Sequence, residues 1–141
     1  MTLRDRIFPP PVSARGSAAL LALRLVAGAA FLFHGWHKIQ HPFTWMGAKA
    51  TMPGFLQALA ALSEFGGGLA LVAGLLVPLA SLGLICTMAV AAWTHISRGD
   101  PFVGRGASFE PALLYLAVAL VLFLVGPGRY SLDHAIFRRR G

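Results

Sequence analysis

Cysteine is almost missing from this chain. Cys86 stands alone among 141 residues, so no intramolecular disulfide, dithiol exchange or cysteine-built metal cluster can form. Acids are scarce too, with five Asp and Glu against twelve Lys and Arg. Charged residues make up only 12%, about half the ~25% of soluble domains, which excludes an ordinary water-soluble fold. No GxGxxG fingerprint, CxxCH or cysteine cluster occurs, so flavin, haem and iron–sulfur groups have no binding motif here. HExxH is likewise absent, and no metal site is expected.

What fills the chain is apolar: 57% of residues are hydrophobic and the mean hydropathy is +0.70. The apolar residues fall into four blocks, at 17–39, 55–77, 79–97 and 109–125, each near the ~20 residues that span a bilayer core. The expected fold is therefore an all-α membrane protein, a four-transmembrane-helix bundle that occupies 17–128. A basic arm (1–16) and a basic tail (129–141) flank it, and no room remains for a soluble catalytic domain. The first block is too long for a signal-peptide core and carries Arg24, so it is expected to stay as a helix. Ser17 is the candidate N-cap of helix one, Pro78 the turn into helix three, and Glu110-Pro111 suits the first turn of helix four.

The formal charge of +7 could suggest nucleic acid, but the basic residues cluster at the ends of the apolar blocks. That distribution reads as membrane topology and headgroup contact, with no nucleic-acid partner. Arg4, Arg6, Arg15, Arg129, Arg138, Arg139 and Arg140 lie in the termini, whereas Lys38, Lys49, Arg98 and Arg105 lie in the two longer loops. By the positive-inside rule both termini are cytoplasmic.

Two charges, Arg24 and Glu64, sit deep within the apolar blocks, whereas Lys38 and Glu110 lie at block ends. An arginine at hydrocarbon depth costs at least ~2.5 kcal/mol, so Arg24 calls for a partner inside the bundle. Glu64 is the only acid in the other long apolar runs, and counting inward from the helix starts puts the two α-carbons within ~6 Å in depth. An Arg24 to Glu64 ion pair is the expected clamp. Ala60, Ala61, Gly67 and Gly68 flank Glu64 at helical spacing, and Gly66, Ala70 and Gly74 recur every fourth residue, a pattern that lets a neighbouring helix or a second copy approach closely.

At the opposite ends of the helices, His34, His37, Lys38, His95 and Glu110 fall at similar levels beside Trp36 and Trp93. Histidine can pass protons or hydrogen-bond a carbonyl, and aromatic rings can sandwich a flat ring, the properties a quinone-headgroup site needs. The competing reading makes Trp36, Trp93, His37 and His41 interfacial anchors. Asp133 and His134 read as surface residues of the tail.

Arg24 followed by Phe33-His34-Gly35 and Lys38 resembles the first-helix signature of the DoxX family of small four-helix membrane proteins. Glu64-Phe65-Gly66-Gly67-Gly68 with Gly74 resembles its second-helix pattern, His95 with Glu110 its third-to-fourth-helix region, and the run from Gly126 to Asp133 closes the match. The resemblance implies a multi-pass protein of the bacterial inner membrane. It also implies contact with a quinone or with a partner oxidoreductase, since the family is named for a membrane subunit of thiosulfate:quinone oxidoreductase and some members join oxidative-stress assemblies. On this expectation His34, Glu64 and Arg24 carry the chemistry, and His34, His95, Lys38, Glu110, Trp36 and Trp93 hold the headgroup. A non-enzymatic anchor for a soluble stress-response enzyme and a small-molecule or proton conduit are the alternatives.

Overall fold

The computed structural model describes residues 12–137. They form five helices, α1 (Ala14–Gln40), α2 (Gly54–Ala73), α3 (Val77–Ser97), α4 (Glu110–Val125) and α5 (Leu132–Phe137), with no strand among the described residues. Most of the basic arm and the Arg138 to Arg140 run lie outside them. α1, α2 and α3 are long and apolar enough to cross a membrane, and α4 is a shorter apolar helix. Its 16 residues span ~24 Å at the helical rise, short of a ~30 Å core. Large apolar side chains point outward on all four, among them Phe33, Leu62, Leu79 and Leu124, as expected of surfaces facing lipid tails.

The ends differ from expectation in ways the backbone explains. Ser13, not Ser17, caps α1, its side chain accepting from the Gly16 amide. α2 stops at Ala73 because Gly74 turns left-handed at φ 68°. Leu76 also holds a positive φ, 51°, a costly state for a residue with a Cβ. Pro78 lies inside the first turn of α3, where its missing N–H is no loss, and the turn itself is Gly74 to Leu76. Within the described part of the tail, α5 folds back against that turn.

α1 and α2 run antiparallel with their backbones nearly touching. A Cβ on Gly28 would meet the Gly68 carbonyl oxygen at 2.9 Å, one on Gly68 the Leu32 amide nitrogen at 2.9 Å, and one on Gly35 the Phe65 backbone at 2.5 Å. These glycines set the interhelical distance. Gly66 is outside the seam, since a Cβ there meets only Leu62 of its own helix. α3 packs on α2 and α4, while α1 and α4 touch only over a small area. Phe31, Leu71, Leu84, Ala119 and Leu122 fill the centre.

Candidate functional site

The glycine contacts fix a register that overturns the expected Arg24 to Glu64 pair. Gly35 faces Phe65 and Gly28 faces Gly68 to Val72, so facing residue numbers sum to about 100. On that register Arg24 stands opposite the end of α2 and Lys38 opposite Glu64. Glu64 is about eleven residues, or ~16 Å of helix, from the level of Arg24, beyond the reach of an arginine side chain. Counting depth from assumed helix starts hid this offset, because α1 begins and ends beyond the apolar block that defined it. Lys38 takes the acid: Nζ lies 2.6 Å from Glu64 Oε1.

Arg24 serves the other end of the bundle. Fully buried, it donates through Nη2 to the Tyr130 carbonyl at 2.6 Å. Its Nη1 occupies the space a Cβ on Gly74 would need. Asp133, expected at the surface, is 2% exposed, and its two oxygens accept from the Leu76 and Val77 amides at 2.7 and 2.9 Å. The carboxylate thus satisfies the first amides of α3, which lacks a side-chain cap of its own. The Asp133 amide donates to the Gly74 carbonyl at 2.9 Å, and the Arg129 amide donates to buried Ser17 Oγ at 3.2 Å. Burial pushes the Asp133 carboxyl above its ordinary range, opposed by the two amides and the Arg24 charge. The segment from Gly126 to Asp133 is therefore a clasp closing one end of the bundle. His134 is half-buried against it, its amide donating to Ser131 Oγ.

At the opposite end is a cavity of about 190 Å³ lined by Phe31, His34, Lys38, Glu64, Met88, Ala91, His95, Pro111, Ala112 and Tyr115. The Glu64 side chain is 4% exposed and that of Lys38 23%, so the pair seals one wall. The Lys38 ammonium also sits 4.5 Å from the Trp45 ring centroid, and the Trp45 indole N–H donates to the Gln57 carbonyl at 2.9 Å. Buried Gln57 in turn holds the loop after α1, donating to the Met52 carbonyl and accepting from the Met46 amide. His95 Nδ1 lies 2.7 Å from Asp100 Oδ2. Tyr115 stacks at a tilt on Phe31, centroids 4.9 Å apart, and meets His34 edge-on at 6.1 Å. His34 and Pro111 are exposed, so the cavity reaches the protein surface beside them.

Four of the expected site residues, His34, Lys38, Glu64 and His95, are thus brought together. The other four are not. Arg24 belongs to the clasp. Glu110 is exposed at the start of α4 and does not line the cavity. Trp36 packs on Phe65 with centroids 5.8 Å apart and is exposed, and Trp93 is 70% exposed, the positions of interfacial anchors. Tyr115, Asp100, Gln57 and Trp45 were not among the expected residues. Only Asp100 left a sequence signal, as the acid five residues beyond His95 at the helix end.

The DoxX family model matches residues 19–96, which takes in α2, most of α1 and nearly all of α3. Inner membrane protein YqjF of Escherichia coli (strain K12) is similar, 30% identical over 128 residues that cover 85% of this chain and 93% of the relative. No solved structure matches. With apolar helices of spanning length and a match that takes in the Lys38–Glu64 wall, the chain belongs to the DoxX family and is a multi-pass inner-membrane protein.

Proposed function

We propose that the chain is a membrane-embedded subunit of a redox system, taking a quinone-class headgroup from the bilayer into the cavity beside the Lys38–Glu64 pair. Electrons would pass to or from a partner oxidoreductase. The observation that carries this reading is the cavity itself: polar at its wall, aromatic at Phe31 and Tyr115, and reaching the surface beside His34 and Pro111. At about 190 Å³ it is smaller than the ~300 Å³ lower bound of drug-sized pockets, so it suits a single ring. The isoprenoid tail of such a molecule would stay in lipid.

The layout supports a site more than a conduit. Phe31, Leu71, Leu84 and Leu122 are buried between the cavity and the clasp, one on each helix, and this apolar layer separates the two polar ends. On the anchor reading the Lys38–Glu64 pair is only a brace between α1 and α2.

The discriminating experiment purifies the protein in lipid nanodiscs and measures binding of a short-chain benzoquinone by calorimetry, alongside the melting temperature. Saturable binding, weakened at least tenfold in His34→Ala with the melting temperature kept, is the expected result. A brace alone predicts no binding by the wild type and a lower melting temperature in Glu64→Ala.

A further inference from the structure

The hydrogen-bonding groups at the cavity wall are unequally engaged. Lys38 donates to Glu64 Oε1 and faces the Trp45 ring. Glu64 Oε2, in a side chain that lines the cavity, is buried with no hydrogen-bond partner. A carboxylate oxygen can only accept, and a buried acceptor without a donor is unfavourable, so a bound molecule that presents a hydroxyl is stabilised where one without it is not.

His95 adds a second acceptor. Its Nδ1 is held by Asp100 Oδ2 at 2.7 Å, and because an ionised carboxylate accepts only, Nδ1 carries the hydrogen. With the second proton off the ring, the other nitrogen has a lone pair and accepts. Asp100 acts through His95 and is a positioning residue. Two acceptors from two different helices, α2 and α3, therefore border one ring-sized space.

Resting on the reading above, we infer that the cavity binds a ring that donates hydrogen bonds, a dihydroxybenzene of the hydroquinone type, in preference to the dione of the same skeleton. This is a statement about binding and involves no electron transfer.

The test is anaerobic calorimetry on the full chain in nanodiscs with three probes: a short-chain hydroquinone, its dione, and its dimethyl ether. The wild type is expected to bind the hydroquinone about tenfold or more tightly than either of the others, since the ether keeps the shape and loses the donors. Glu64→Gln keeps an acceptor oxygen for Lys38 and turns an NH₂ donor toward the cavity, and Asp100→Asn can donate to Nδ1 and so move the hydrogen to Nε2. Each is expected to shrink the preference severalfold by weakening hydroquinone binding. Asp100 lies in the loop after α3, outside the bundle core, so its variant reports even where Glu64→Gln is poorly folded. Equal affinity for hydroquinone and dione, or tighter binding of the dione, overturns this inference and leaves the ring-binding reading standing. Binding of none of the probes overturns both.

Discussion

Asp133 does more than any other residue of the C-terminal segment, because one carboxylate ties two amides of α3 and faces the Arg24 charge. Burial raises its pKa in the folded chain above the unfolded value, so the folded chain holds that proton more tightly. The stability this confers is present below the unfolded pKa and is lost as pH climbs through the raised one. Melting temperature should accordingly decline with rising pH across that window in the wild type. Asp133→Asn should flatten the decline while costing about 1–2 kcal/mol at all pH, since the amide leaves one α3 N–H without an acceptor. Parallel melting curves for the two proteins across the window would rule this account out.

At the scale of the helices, the α1–α2 seam carries the argument, because its register decides which charges meet. The expected and observed sites differ mainly by that register. Apolar blocks made the helices legible. What the sequence could not supply was the slide of α2 along α1, which depends on which glycines oppose which backbone. Hence Lys38, expected only among the residues that hold a headgroup, became the partner of Glu64, and Arg24 was matched with an acid ~16 Å away along the helix axis. Asp133 was misread for a related reason: a polar basic tail looks solvated until the buried arginine that needs it is placed. Gly35→Ala and Gly68→Ala should each cost about 1–3 kcal/mol by forcing backbones apart. Gly66→Ala should be neutral or slightly stabilising, since alanine is the better helix former and only Leu62 of the same helix must give way. Denaturant melts of the three variants in one detergent check this order.

Seen whole, the molecule has a fixed end and an open end. The clasp joins α1, the α2–α3 turn and the C-terminal segment through Arg24, Ser17, Gly74 and Asp133. At the cavity end α4 meets α1 through Tyr115 against Phe31 and His34, and the polar groups there are tied to loops, by Gln57 and Trp45 on one side and Asp100 on the other. This division suits a protein whose binding site must admit a ligand while its frame stays closed. Truncation after Val125 should therefore leave a chain that inserts but is cleaved readily by protease near the α2–α3 turn. Limited proteolysis of membranes holding the full and truncated chains compares them directly, and equal resistance would show the clasp to be dispensable.

The Arg24 to Tyr130 bond also spans 106 residues of sequence, and this bears on how the chain is made. At ~5–20 residues per second, synthesis delivers Tyr130 roughly 5–20 s after Arg24. For that interval α1 holds a cation with no native partner, and even when the last apolar helix is complete the lock is still missing. Arg24 thus remains an uncompensated charge in the nascent bundle until Tyr130 arrives.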